Sequence, residues 1–184
     1  MIFFPFKDLD FDIKIIRQHW IKDDGQDDNE DLCSHGKVYI RIGTEELSTE
    51  ESGSLCLSAA GLYLLRSLEQ DCDLGQFSNQ LVPCCGHFMI PDENGANYVV
   101  IMGCPSGVDW KIKHRNEEVI FESQKGTKGK LTFEDYKEKV LDFTREIENF
   151  YGKPEDKIVP DDGFYKNGFS QFWAEWQELK IKWS

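Results

Sequence analysis

Residues 108–151 read VDWKIKHRNEEVIFESQKGTKGKLTFEDYKEKVLDFTREIENFY, and this stretch decides the fold class. In its first part Val108, Trp110 and Ile112 fall on one face, the period of two of a strand with one side buried. A short turn at Arg115–Asn116 follows, and Val119 and Phe121 repeat the pattern in residues 117–123. KGTKGK at 125–130 is a loop, with a brief strand beginning at Lys130–Leu131. The period then changes. Phe133, Tyr136, Val140, Phe143, Ile147 and Phe150 recur at steps of three and four, which predicts a helix over 133–151 with one apolar stripe. Thr132 and Asp135 form a capping-box-like start, and Glu134 and Asp135 suit the positive end of the helix dipole. Gly152 ends the helix and Pro154 prevents its continuation.

Upstream, residues 11–20, FDIKIIRQHW, are rich in β-branched and aromatic types and read as a strand. In KVYIRI at 37–42, Val38, Ile40 and Ile42 alternate with Lys37, Tyr39 and Arg41, a second strand. The intervening DDGQDDNED at 23–31 is a solvated loop, and EELSTEESG at 45–53 is expected to return to solvent. Residues 58–70, SAAGLYLLRSLEQ, predict a buried helix capped by Ser58. HFMI at 87–90 and NYVVIMGC at 97–104 flank PDENGA, a strong turn signal. Downstream, 153–167 form a polar connector. A last helix over roughly 168–181 carries Phe169, Phe172, Trp173, Trp176 and Leu179, with Trp183 exposed beyond its end as an interface anchor would be. Strands joined by short turns pair antiparallel. The expectation is therefore an α+β fold: one antiparallel sheet of five to six strands, about three helices, and the last two helices packed on one face of the sheet. The 184 residues fit a single domain, 1–184.

Composition bounds the function. Lys plus Arg number 21 and Asp plus Glu 34, a formal net charge of −13, in a chain that is 40% hydrophobic and 13% aromatic. Such a chain folds rather than forming a disordered acidic tail. Its field opposes nucleic acid and anionic membranes and favours a basic protein partner. MIFFPFK at the start lacks the pattern of a signal peptide, and no stretch approaches the ~20 apolar residues of a membrane helix. A cytoplasmic protein with its six cysteines as free thiols is the expectation.

The residues that carry chemistry are few. There is no phosphate loop: Gly103–Trp110 lacks the G-x-x-x-x-G-K-[ST] pattern. No H-x-E accompanies Pro83-Cys84-Cys85, which excludes a zinc deaminase. The carboxylates of the first acidic run depart from the calcium-loop pattern. Cys33-Ser34-His35 and Cys84-Cys85-Gly86-His87 together offer zinc ligands, but their close spacing makes each pair hard to aim at one ion, so no metal or cofactor is expected. A Cys/His enzyme on a small molecule, or a metal-binding module, are the alternatives to a binding protein. The docking candidates are Asp23, Asp24, Asp27, Asp28, Glu30, Asp31, Glu45, Glu46, Glu50 and Glu51.

In size, charge and α+β pattern, and in Phe172-Trp173-Ala174-Glu175-Trp176 after an amphipathic helix, the chain resembles the small acidic immunity proteins of bacteria. These neutralise toxin domains of contact-dependent inhibition and related polymorphic toxin systems. The resemblance implies a cytoplasmic inhibitor of a basic, nuclease-type toxin domain that occludes the active site, with carboxylates standing where nucleic-acid phosphates would lie.

Overall fold

The computed structural model describes residues 10–75, 80–86, 88–92 and 98–184. Phe11–His19 (β1) pairs antiparallel with His35–Ile42 (β2), which also pairs with Glu45–Ser48 (β3) and, at its start, with Leu55–Cys56 (β4). Leu57–Arg66 (α1) follows directly. Phe88–Ile90 (β5) and Val100–Met102 (β6) form a hairpin. Lys111–Arg115 (β7), Glu118–Glu122 (β8) and Lys128–Thr132 (β9) form a meander. Phe133–Tyr151 (α2), a short 3-10 turn at Pro154–Asp156 and Gly163–Trp183 (α3) complete the chain.

The α+β class holds, with more strands than expected: among the described residues nine strands form three antiparallel sheets rather than one. The extra strands come partly from EELS, expected in solvent. Its backbone pairs with β2, Ser48 is buried, and only Glu46 of the four faces water freely. The PDENGA turn falls largely in 93–97, outside the described residues.

β1 is where two sheets meet. Phe11 stacks on Phe121 of β8 at 4.1 Å between ring centres, and the Tyr136 ring of α2 stands edge-on to both. α2 therefore packs across β1, β8 and β9, burying Tyr136, Val140, Phe143, Ile147 and Tyr151, while Thr132 accepts a hydrogen bond from the Asp135 amide at its start.

α3 does not share that face, contrary to expectation. It packs on α1 and β5, burying Phe169, Phe172, Trp173, Trp176 and Leu179. It also begins earlier, at Gly163, where the Asp162 side chain accepts from the Phe164 amide. It runs on through Trp183, which is not a free anchor but lies half-buried against Phe133 at 5.4 Å. Glu175, on the same helix, is 2% exposed and binds Arg66 of α1 through both carboxylate oxygens, at 2.5 and 2.7 Å, while accepting from the Val99 amide at 3.1 Å. A buried charge is tolerable only with such partners.

α1 is buried over Leu57–Leu65 and lies between the other two helices. Its N-cap is Cys56, the last residue of β4, not Ser58. The close approach is set at Gly61, where an added Cβ would overlap the Trp176 ring and press on Ile147. Gly61→Ala gains about 1 kcal/mol of helix propensity but overpacks a seam of large rings, at about 1–3 kcal/mol or more. Net destabilisation is the expected outcome in denaturant unfolding, and an increase in stability would show that α1 and α3 do not sit this close.

Candidate functional site

The register of the first sheet brings chemistry-bearing residues into a row. His19 of β1 lies opposite His35 of β2, and His35 lies opposite Cys56 of β4. The two imidazoles are roughly parallel, 6.0 Å apart. Asp31 and Cys33, at the end of the acidic loop, complete the group. His35 Nε2 is 3.4 Å from Asp31 Oδ2 and 3.5 Å from Cys33 Sγ, and that sulfur is 3.7 Å from Asp31 Oδ1. The donors of Asp31, Cys33 and His35 all lie within 4.8 Å of one another. Cys56 Sγ is 3.7 Å from the Ser58 hydroxyl.

The surroundings fix these side chains. Asp31 accepts from the amides of Ile21 and Cys33 at 2.8 and 3.2 Å. Burial works to raise its pKa, but His35 and those two amides hold it below the usual carboxylate range. The neighbouring Cys33 thiol, helped by the Ala59 amide of the first turn of α1 and by His35, brings the Cys56 thiol down to about 7 against its burial. Cys33 is pushed up in turn. Cys56 is 0% exposed. A Cβ on Gly86 would overlap its sulfur, so the Pro83–Gly86 backbone is seated directly on it, with Pro83 accepting from the Cys56 amide at 2.8 Å. This closure disfavours a nucleophile and suits a structural role.

The two Cys/His clusters, read in the sequence as hard to aim at one ion, fall in separate groups among the described residues. Cys84 bonds to Cys104 in a disulfide, a correction to the expectation of six free thiols. The two flank the β5–β6 hairpin with Cα atoms 6.4 Å apart, a separation that a disulfide spans. Cys85 Sγ lies 3.2 Å from Cys84 Sγ in a separate sulfur group, and His87 lies outside the described residues. Close spacing did not prevent Cys33 and His35 from converging. In an extended chain, residues two apart point to the same side. Cys56, the partner that sequence reasoning missed, is brought in by strand pairing, for which 56 carries no local signal.

The ten docking candidates separate into two groups. Asp23, Asp24, Asp27, Glu30, Glu46, Glu50 and Glu51 are exposed. Asp28 is buried with its carboxylate 3.0 Å from Lys22, Asp31 belongs to the cluster above, and Glu45 turns inward to the Ser123 hydroxyl and Lys125. The two runs converge only in part. Glu45 and Glu46 pair with the Ile42 end of β2, about 23 Å along the strand from His35 at ~3.3 Å per residue. Glu50, whose carbonyl accepts from Lys37, and Glu51 return toward the end where the first run enters. No three carboxylates of the first run bring their oxygens within 4.8 Å of each other among the described residues, so they do not form a calcium cage.

A groove of about 510 Å³ borders this loop, lined by Arg17, His19, Trp20, Asp23, Asp27 and Phe150. Behind it Lys157 is buried, with its ammonium 3.2 Å above the Trp20 ring, donating to the Asp28 carbonyl at 2.8 Å and 3.5 Å from Asp27. Burial holds its pKa below the ordinary lysine value against the pull of Asp27.

No protein-family model matches the chain, and neither a curated protein nor a solved structure matches it.

Lys157 is the clamp on the acidic loop. Lys157→Ala removes a desolvated cation–π contact and a charged hydrogen bond, partly offset by relief of the buried charge, and is expected to cost about 1–3 kcal/mol. Hydrogen exchange should accelerate across residues 20–33 and little elsewhere. Unchanged exchange there would mean that the loop holds its shape without the lysine.

Proposed function

We propose that this protein is an acidic binding protein that captures a basic partner through the Trp20–Asp31 loop and the neighbouring Glu50 and Glu51. On the resemblance noted above, it is a cytoplasmic immunity protein whose partner is a nuclease-type toxin domain. The observation that carries the reading is the state of the exposed acids. Asp24, Glu30, Glu50 and Glu51 are exposed, and none has a cationic side chain within ion-pair distance among the described residues. Their charge is therefore available to an incoming protein, where it steers encounter more than it adds affinity. Asp23 and Asp27 are engaged with Arg17 and Lys157, and they serve the loop's shape. In the Cys/His cluster the thiols of Cys33 and Cys56 are buried, which counts against a nucleophile there, and the binding reading does not depend on them.

The probe is the product of the reading frame adjoining this chain's gene, co-expressed in a bacterial host. The chain should protect cells that this product otherwise kills. Purified, the pair should associate at a rate that falls steeply between low and high salt. The variant Asp24→Asn/Glu30→Gln/Glu50→Gln/Glu51→Gln should associate about ten-fold more slowly at low salt, with a flatter salt dependence and an unchanged unfolding midpoint. An association rate indifferent to salt, or unchanged in the variant, would falsify electrostatic docking by these groups. A harmless, non-binding neighbour product would remove the immunity reading.

A further inference from the structure

We infer that Asp31, Cys33 and His35 form a zinc site, which Cys56 beside them completes as the fourth ligand.

No single hydrogen bond accounts for the position of His35. An imidazole nitrogen carries either one N–H or one lone pair. Yet His35 Nε2 faces Asp31 Oδ2 at 3.4 Å and Cys33 Sγ at 3.5 Å, almost equally. The nitrogen–oxygen separation exceeds the ordinary hydrogen-bond range of about 2.7–3.2 Å. The Cys33 sulfur is in turn 3.7 Å from the other carboxylate oxygen, Asp31 Oδ1. One donor atom from each of the three residues lies within 4.8 Å of the other two.

The spacing of these donors also suits zinc. Zinc holds sulfur at about 2.3 Å and nitrogen or oxygen at about 2.0–2.2 Å. At tetrahedral angles those bonds place neighbouring ligands roughly 3.3–3.6 Å apart. The Nε2–Oδ2 and Nε2–Sγ separations of 3.4 and 3.5 Å match two such edges, and rotation of the Asp31 carboxylate, whose other oxygen lies 3.7 Å from the sulfur, supplies the third.

Cys56 adjoins these three donors as the fourth ligand. It faces His35 across the β2–β4 ladder, and its sulfur has to close on the group of three when the ion binds. It is the N-cap residue of α1, where the positive end of the helix dipole favours a thiolate. The outer shell is in place as well: the amides of Ile21 and Cys33 fix the Asp31 carboxylate. Two thiolates, a carboxylate and an imidazole from one buried site are a closed set for a borderline-soft divalent ion, and calcium or magnesium would not select them. Bound there, zinc ties the last residues of the acidic loop to the start of the buried helix. The Cys84, Cys85 and Cys104 group is a poorer candidate, because two of its three sulfurs are bonded to each other.

The test uses the full chain, purified without an affinity tag or chelator and under reducing conditions. Elemental analysis should give about one zinc per chain, and a chelator should lower the unfolding midpoint. Cobalt replacing the zinc should show the intense visible bands of a tetrahedral ion together with thiolate charge transfer. Cys33→Ser, Cys56→Ser and His35→Ala should lose the metal. His35→Cys should keep it with a more thiolate-rich cobalt spectrum, a result that a merely structural histidine does not produce. Cys72→Ser and Cys85→Ser should keep one zinc. The proposal is overturned by a wild-type chain that takes up no zinc or cobalt on titration. It is equally overturned by metal that survives Cys33→Ser and Cys56→Ser, by metal lost with Cys85→Ser, or by a Cys33–Cys56 disulfide found in the metal-free reduced preparation.

Discussion

A helix with no solvent face constrains everything else in this molecule. Nine consecutive residues of α1, Leu57 to Leu65, are buried, so each side of the helix must be covered by another element. α2 and α3 cover two sides, and Gly61 lets Trp176 and Ile147 come in against the backbone. The aromatic stripes of both long helices follow from this: large flat side chains fill a seam between helices where small ones would leave voids. At the end of α1, Arg66 is drawn into the same covered region and is matched by Glu175, which also holds the Val99 backbone at the approach to β6. The hairpin, the last helix and the central helix are thereby joined at one buried charge pair, the kind of contact that fixes register more than it adds stability.

What could be read from the sequence follows from how local each signal is. α2 was legible to the residue because its stripe, its cap at Thr132 and its stop at Gly152 are all encoded within it. β2 was legible because strict alternation has one interpretation, though it starts earlier, at His35, than the alternation suggested. β3 was not, because four residues with two glutamates look solvated. Its backbone is held by β2, while Glu45 finds partners on the distant loop at Ser123 and Lys125. The first turn of α3 was not legible, because 153–167 reads as a polar connector. Gly168 lies where the helix meets the Met89 carbonyl of β5, and a Cβ there would collide with it. Placement of the two long helices on one sheet face failed for a related reason: an apolar stripe says that a face is buried, not against what.

The same locality explains the mixed record at the site. Acid clusters are visible in sequence as charge, but charge does not say which carboxylates have partners. Asp28, Asp31 and Glu45 look like their neighbours on paper and are drawn inside by Lys22, by His35 and by Ser123. The thiol cluster was half visible. Cys33 and His35 are ligand candidates by type, and their one-residue spacing reads as hard to aim at one ion. An extended backbone changes that reading, and Cys56 joins only through the β2–β4 pairing, which involves two residues on each strand.

These placements bear on each other. The acidic loop is fastened at three places from behind: Asp23 to Arg17, the Asp28 carbonyl to the buried Lys157, and Asp31 into the cluster with His35 and Cys33. A loop of this composition left free would repel itself and sample many shapes, and a partner would have to order it on binding. Fastened, it presents Asp24 and Glu30 in a set position at little further entropic cost. The acids taken out of solvent thus do not weaken the case for an electrostatic surface. They account for how so negative a segment can hold one conformation, and holding one conformation is what distinguishes a docking surface from a run of charge.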